Sequence, residues 1–537
     1  MYVSAYAPFG SEGILIRVEV DIRRGIPGFD ITGLADGAVR EARERVRAAF
    51  RNSSFPFPSE RILINLAPAG FRKEGASLDL PIALAIMAAS GLVPWAEGLM
   101  VLGELELSGR LRGVRGVLAA TASGLKTGIR GFIVPRENET EAAILAQGRF
   151  AAVETLQDAV CAMELYAETG RLDGSPRSEN SLAGLSSQST AKMGGDFSEV
   201  RGNRRYKRAL EIAAAGGHNL LVFGPPGSGK TMLARRFPSI MAPLTVDEAV
   251  EATRLHSLAG ALGPTDGLVE FPPFRSPHHS ASAEGILGGG RSVRPGEISL
   301  AHLGVLFMDE APEFKTNVLQ ALREPLEDGV VTIARAEGFI RLPADFQLIM
   351  AANPCACGRL GARLPLPGRV PVAYSYGAGC FCAEEDIHRR WRRLGSALLD
   401  RLELRVPIVP PLDLPLSSEG EESSAKIAQR VRSAVEIQRR RFTGTGIRRN
   451  ARMSPPLMER FCPLEGEAER VFRDALLRWG FSGRGAHGIL RVARTIADLE
   501  GATAIRSPHI EEAVLYRRFG DDPYDVLSVE EPGIPSA

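Results

Sequence analysis

The sequence predicts an α/β protein: two α/β units in succession, closed by an all-α block. Three observations carry this. Residues 1–168 alternate short strand-like apolar runs with amphipathic helical ones. Residues 196–410 repeat the alternation around apolar runs that end in glycine or in paired carboxylates. After a stretch punctuated by Pro410, Pro411 and Pro415, the spacing becomes helical, opened by Ile427, Val431 and Val435. At 537 residues the chain is too long for a single core, so separate units are expected on size alone.

In the first unit, residues 13–22 and 61–66 read as strands, and 38–50 as a helix with Val39, Ala42, Val46, Ala49 and Phe50 on one face. Residues 169–195 turn to Ser, Gly and Asn with few large apolar side chains, the composition of a solvated linker. The helical block is expected over 411–520, and a frayed tail over 521–537. Lys and Arg number 65 against 64 Asp and Glu, a net charge of +1, so any contact with nucleic acid must be local. The longest apolar stretch, 80–95, is broken by Pro81, Gly91 and Pro94 and falls short of the roughly 20 residues that span a bilayer. It reads as core, and no membrane partner is expected. Nothing in the first ten residues has the pattern of an export signal, which makes the expected location cytoplasmic.

The second unit carries the chemistry. The apolar run Leu220-Leu221-Val222-Phe223 leads into Gly224-Pro225-Pro226-Gly227-Ser228-Gly229-Lys230-Thr231 and then into helix-favouring residues. In this arrangement glycines turn successive backbone N–H groups onto a β-phosphate, Lys230 adds a mobile charge at the β- and γ-phosphates, and the Thr231 hydroxyl can ligate Mg²⁺. A second apolar run, Val305-Leu306-Phe307-Met308, ends in Asp309-Glu310. The aspartate can hold Mg²⁺, and the glutamate can orient and deprotonate an attacking water. ATP with Mg²⁺ is the expected ligand pair.

Four of the six cysteines form two close pairs, Cys355-Ala356-Cys357 and Cys380-Phe381-Cys382, within a Gly/Pro-rich insert, 354–383, that shows no amphipathic pattern. Four thiolates suffice to hold a structural Zn²⁺, with His388 as a substitute ligand. The alternative is a set of reduced, unliganded thiols. Cys161 and Cys462 stand alone and read as packing residues.

Three long strings add a resemblance. The first lies in residues 196–233 and includes Lys207-Arg208-Ala209-Leu210-Glu211-Ile212-Ala213-Ala214-Ala215-Gly216-Gly217-His218. The second runs from Phe274-Arg275-Ser276-Pro277-His278-His279-Ser280 through Gly288-Gly289-Gly290 and Pro295-Gly296-Glu297-Ile298-Ser299-Leu300-Ala301-His302 to Asp309-Glu310. The third is Val492-Ala493-Arg494-Thr495-Ile496-Ala497-Asp498-Leu499. With these the chain resembles, nearly end to end, the ComM/YifB family of magnesium-chelatase-like AAA+ proteins.

The resemblance implies a P-loop AAA+ core carrying a helix-2 insert and a pre-sensor-1 hairpin, followed by an all-α lid. It implies a homo-oligomeric ring, a hexamer, related to the chelatase ATPase subunit and to replicative MCM helicases. For the family's namesake it implies branch migration during recombination in natural transformation, with recombination proteins as further partners. On AAA+ analogy Asn353, after the apolar run 346–351, senses the γ-phosphate, and Arg401 is presented to the neighbouring subunit's γ-phosphate. Arg484 would reach phosphates from the lid, although Gly488 stands where relatives usually carry a second arginine; Arg491 is the other candidate for that role. In a ring the loops at 288–295 and 330–342 would project into the channel, so that Arg291, Arg294 and Arg335 meet the phosphates of branched or single-stranded DNA.

The strings Lys73-Glu74-Gly75-Ala76-Ser77-Leu78-Asp79-Leu80 and Gly103-Glu104-Leu105-Glu106-Leu107-Ser108-Gly109-Arg110 resemble the Lon-protease (ribosomal-S5-like) fold, with Ser77 where Lon has its nucleophile. The position of Lon's lysine falls on Leu118, so the base that would activate Ser77 is missing and a non-proteolytic domain is expected. Ser77 is left as a helix cap or a core hydroxyl. Rival functions are a chelatase-type ATPase subunit and a protein-remodelling ATPase. The chain has no Asp-x-Ser-x-Ser motif of a metal-adhesion domain, and its candidate channel loops carry arginine where a remodeller would carry aromatic residues.

Overall fold

The structure, a computed structural model, describes residues 2–70, 73, 75–172, 195–263, 266–290, 293–335, 338–365, 374–376, 380–409 and 421–528. Much of the expected linker, and Arg291 with it, lie outside the described residues.

The N-terminal unit is a seven-stranded mixed sheet. Its strands are β1 (Tyr2–Ala7), β2 (Ile14–Arg23), β3 (Gly28–Thr32), β4 (Arg61–Ala67), β5 (Leu99–Val101), β8 (Gly131–Pro135) and β9 (Phe150–Val153), in the order β3-β4-β2-β1-β5-β8-β9. A short hairpin, β6 (Glu104–Leu105) with β7 (Leu111–Arg112), lies between β5 and β8. The period of two along β1 sends Val3, Ala5 and Ala7 to one core with the helices Gly37–Asn52 and Asp79–Ala89, and Tyr6 to another with the helices Val117–Lys126 and Glu139–Ala146. The predicted helix face is the buried one: Val39, Ala42, Val46, Ala49 and Phe50 are all inaccessible. Asp36 starts that helix by accepting a hydrogen bond from the Val39 amide at 2.8 Å.

The second unit is a sheet of five parallel strands: β10 (Leu220–Phe223), β11 (Phe274–Arg275), β14 (Val305–Met308), β17 (Gln347–Ala352) and β20 (Leu404–Pro407), ordered β11-β14-β17-β10-β20. Both faces are covered, so these strands read as unbroken apolar runs. Two hairpins project from this core: β12 (Gly288–Gly289) with β13 (Arg294–Pro295), and β15 (Val330–Arg335) with β16 (Gly338–Pro343). A third small pair, β18 (Arg363–Pro365) and β19 (Tyr374–Tyr376), lies within the cysteine-bearing insert. The final block is helical: Ser424–Arg441, Pro455–Phe461, Gly466–Trp479, Gly483–Leu499 and Ser507–Arg517. Ile427, Val431 and Val435 lie on the expected helix and are buried in the core of the second α/β unit.

The third string of the resemblance turns out to be scaffold. Arg441 and Arg494 both pair with the buried Asp498, and Arg494 also donates to the carbonyls of Ala502 and Thr503. Residues 521–528 do not fray as expected of the tail. Pro523–Ser528 is a short 3-10 helix whose Val526 is fully buried in the core formed by β14 and β17, while Asp521 pairs with Arg405. One apolar turn buries enough surface to hold the segment down, and it is too short for periodicity to reveal. Cys161, read as a packing residue, is exposed; Cys462 is buried.

The two α/β units touch. Leu258, in the helix Val246–Ala259, packs into the second N-terminal core, Ser257 bonds Glu141, and Arg254 donates to the Ser11 carbonyl at 3.0 Å. Among the described residues no helix is long and apolar enough to cross a membrane.

Candidate functional site

The phosphate loop leaves β10 at its C-terminal end and closes into the helix Lys230–Arg236. Gly227 and Gly229 lie at φ +77° and +88°, the left-handed region that favours glycine. Gly224 is held by space instead: a Cβ there would sit 2.1 Å from the Ile408 carbonyl oxygen. The Lys230 ammonium folds back into the loop, donating to the carbonyls of Gly224 at 2.8 Å and Pro225 at 2.7 Å. Burial lowers its pKa to about 8, against the pull of Asp309 and Glu310. Ser228 donates to the Pro225 carbonyl at 2.7 Å, and Asn203 holds the Ser228 carbonyl at 3.0 Å.

Sheet order brings the second motif alongside. β14 ends in Asp309-Glu310, and the Thr231 hydroxyl donates to the Asp309 carboxylate at 2.8 Å. A hydroxyl and a carboxylate converging beside a phosphate loop are hard oxygen donors of the kind that suit Mg²⁺. Between the two loops runs β17, with Ala352 opposite Phe223 and its carbonyl accepting from the Gly224 amide at 3.2 Å. Asn353 follows directly, so it leaves the sheet between the strand that leads into the phosphate loop and the strand that ends in the carboxylate pair. Glu310 is half-exposed, sits at φ +51°, and faces the His279 imidazole at 3.5 Å.

Arg401 and Arg484 are elsewhere. The carbonyl of Arg401 accepts from Asn219, which precedes β10, and Leu404, which opens β20, donates to the Asn219 carbonyl. This is the N-terminal edge of the parallel strands. The phosphate loop lies at the other edge, on the order of 13 Å away for four residues of strand. Arg484, expected to reach phosphates from the lid, is at that same far edge: both guanidinium groups meet one oxygen of Glu327, Arg401 at 2.6 Å. Burial and the neighbouring guanidinium of Arg484 depress the Arg401 pKa, and Glu327 is held below the usual carboxylate range by the two arginines despite its partial burial. A cavity of about 500 Å³ opens here and not on the phosphate loop; Arg448, Arg449 and Arg491 line it with Arg401, Arg484 and Glu327. The long separation between Glu327 and its two partners in the chain gave the sequence no way to show this pairing.

The candidate loop residues are placed in part. Arg294 is exposed on β13, and Arg335 stands at the last position of β15, opposite Gly338. Sequence reasoning missed Phe339 beside it, 77% exposed on the hairpin. An aromatic residue at that point removes the contrast drawn above between arginine loops and aromatic ones.

The four thiols of Cys355, Cys357, Cys380 and Cys382 lie within 4.8 Å of one another, with Cys355–Cys357 at 3.4 Å and Cys357–Cys380 at 3.6 Å. Sulfurs around a tetrahedral Zn²⁺ stand about 3.8 Å apart, so the donor set fits that ion. Against the effect of burial, the amides of Arg359 and Phe381 and the neighbouring thiols bring the Cys357 pKa to about 6, while burial pushes the Cys355 and Cys380 thiols up. His388 is not in the cluster; it faces Glu384.

In the N-terminal unit, Leu118 is fully buried and its amide donates to Glu141 at 2.7 Å. The helix Asp79–Ala89 is capped by Leu78 without a side-chain bond, so Ser77 is not its cap. Asp79 instead pairs with Arg45 at 2.6 Å.

Three sequence families match the chain: "Magnesium chelatase, subunit ChlI" over residues 196–413, "Subunit ChlI of Mg-chelatase" over 18–138, and "Magnesium chelatase, subunit ChlI C-terminal" over 421–517. YifB of Salmonella typhimurium is 41% identical over 519 residues, 96% of each chain. The competence protein ComM of Haemophilus influenzae is 38% identical over 524 residues, 96% of this chain and 97% of that one. Lon protease 2 of Thermus thermophilus is 30% identical over 145 residues, 26% of this chain and 18% of that one. With the phosphate loop, the Asp309-Glu310 pair and the helical C-terminal block in place, likeness over nearly the whole length makes this chain a member of the ComM/YifB family of magnesium-chelatase-like AAA+ ATPases.

Proposed function

We propose that the chain is an ATP-driven DNA motor: a ring of its copies, a hexamer, in which hydrolysis drives branch migration during homologous recombination of DNA taken up in natural transformation. The observation that carries the reading is the division of one catalytic apparatus between two edges of the sheet. Lys230, Thr231, Asp309, Glu310 and Asn353 gather at one edge, Arg401 and Arg484 at the other. Head-to-tail packing of copies puts the arginines of one against the phosphates of the next, and such packing makes a ring when the rotation between copies closes.

Lys230 gives up the carbonyls of Gly224 and Pro225 to reach the β- and γ-phosphates. Thr231 and Asp309 would hold Mg²⁺, which would supply positive charge beside the phosphates. Glu310 orients the attacking water and takes its proton, and Asn353 senses the γ-phosphate. Arg401 and Arg484 of the neighbouring copy leave Glu327 for the oxygens on which charge develops. The two hairpins face the channel as helix-2 insert and pre-sensor-1 hairpin, with Arg294 and Arg335 on phosphates and Phe339 stacking on a base. The N-terminal unit is a Lon-like domain without proteolysis, since buried Leu118 stands at the position of Lon's lysine. The four cysteines hold a structural Zn²⁺ that orders the insert.

The likeness to ComM along the full chain favours DNA over a porphyrin or a polypeptide as the thing moved. The test is ATP hydrolysis by the purified protein with no DNA, single strands, duplex or a four-way junction, beside junction unwinding, with Glu310→Gln as control. Stimulation by branched DNA with ATP-dependent strand separation is expected. Hydrolysis indifferent to every DNA would overturn the motor reading and bring the chelatase-type and protein-remodelling readings forward, the latter supported by exposed Phe339.

A further inference from the structure

The catalytic glutamate has a neighbour that the reaction as derived above does not use. His279 Nδ1 lies 3.5 Å from Glu310 Oε2. The imidazole comes from the loop after β11, the strand next to β14 in the sheet, so the two loops leave the same edge side by side. Its ring is held from two directions: it lies against His278 with centroids 4.1 Å apart at a tilt of 33°, and it meets the buried Phe314 edge-on at 6.4 Å. His278 is itself committed, its Nδ1 bonding the Ser280 hydroxyl at 2.8 Å and accepting from the Ser280 amide at 3.3 Å. Of the two imidazoles, only that of His279 points at the carboxylate.

Glu310 needs such a partner. Its backbone is in the left-handed region at φ +51°, unusual for a residue with a side chain, and its carboxylate is half-exposed. A carboxylate free to rotate in solvent holds a water poorly, and a displacement of about 1 Å at a reacting group can cost on the order of 100-fold in rate. We propose that His279 is a positioning residue for ATP hydrolysis: its Nδ1–H, donating to one oxygen of Glu310, turns the other oxygen toward the attacking water. A separation of 3.5 Å leaves little distance to close for a hydrogen bond, and contacts of this kind tighten as a site forms around its substrate. The same loop runs on through the helix Ala283–Leu287 to the β12–β13 hairpin, so what fixes Glu310 is joined by a short covalent path to Arg294.

The inference rests on Glu310 being the general base. Three variants separate its parts in the full-length protein: His279→Ala removes everything, His279→Phe keeps a ring without a donor, and His279→Asn keeps a donor near the Nδ1 position without the ring. Steady-state ATP hydrolysis in the presence of Mg²⁺ is expected to show kcat lowered about tenfold or more in the Ala and Phe variants, with KM for ATP within about twofold of the parent, and kcat partly restored in the Asn variant. Parental kcat in His279→Phe, or an Asn variant as slow as Ala, would overturn the proposal, because the ring would then serve only packing. Glu310→Gln keeps the two questions apart. If it hydrolyses ATP at the parental rate, the reading of Glu310 itself fails. If it is inactive while all three His279 variants turn over normally, only the positioning role fails.

Discussion

Gly224 and Gly227 sit three residues apart in one loop and are glycines for different reasons. At 224 the obstacle is contact, a backbone oxygen 2.1 Å from where a Cβ would be, and the oxygen belongs to a chain segment that cannot swing away. At 227 the obstacle is conformation alone, φ +77° with nothing within 4 Å. Gly224→Ala is therefore expected to cost about 1–3 kcal/mol through displacement of the loop against Ile408, and Gly227→Ala about 1 kcal/mol through backbone strain. Thermal unfolding of the two variants side by side checks the order, and ATP affinity should fall further for Gly224→Ala. The residues of the phosphate loop, and Asp309-Glu310 after their apolar strand, were legible in the sequence because the chemistry is contiguous there. What joins residues far apart in the chain was not: Glu327 between Arg401 and Arg484, His279 against Glu310, and Phe339 left exposed all depend on how loops converge.

At the scale of elements, the helix Arg204–Gly216 hands over to β10 through His218, which is wholly buried and shares a hydrogen bond of 2.7 Å with Thr495 on the helix Gly483–Leu499. Burial first, and the charge of Arg491 second, push its pKa down to about 3. A folded-state pKa below the unfolded value means that the unfolded chain takes up the proton first. The stability this neutral histidine contributes is full above about pH 6.5 and is lost as pH falls toward 3, at about 1.4 kcal/mol per pH unit. His218→Gln, which keeps a hydrogen-bonding group without the titration, is expected to shift its urea midpoint less between pH 7 and pH 5 than the parent does.

The cysteine insert makes a second prediction at this scale. The purified protein should carry about one Zn²⁺ per chain, lost in Cys357→Ser, and a thiol-reactive chelator should release it. The strands and the helix faced by Val39, Val46 and Phe50 were readable because burial on one face imposes a period. The short helix Pro523–Ser528 was not, since one turn has no period to read, and its Val526 looks like any residue of a polar tail until the core is seen.

For the molecule as a whole, the question is which chain's phosphates Arg401 serves. The parallel sheet keeps Arg401 from the phosphate loop of its own chain, because a side chain at the N-terminal edge of β20 cannot reach a loop at the C-terminal edge of β10 without passing through a core in which Leu221, Val222, Leu404 and Val406 are inaccessible. Within one chain the Arg401 guanidinium meets Glu327 and the Ala397 carbonyl. Arg401→Ala should then lower ATP hydrolysis about 10³-fold while leaving nucleotide binding to the same chain nearly unchanged, the size of effect expected for an arginine that meets charge only in the transition state. Mixing supplies the decisive measurement. Rings formed from equal parts of Arg401→Ala and Glu310→Gln contain interfaces in which an intact Arg401, from the second variant, faces an intact Glu310, from the first. Hydrolysis by the mixture should rise well above that of either variant alone, toward about a quarter of the parental rate if chains assort at random and each interface works independently. If Arg401 acted on its own chain's nucleotide, no mixed ring would contain a complete site, and the mixture would stay as inactive as its parts.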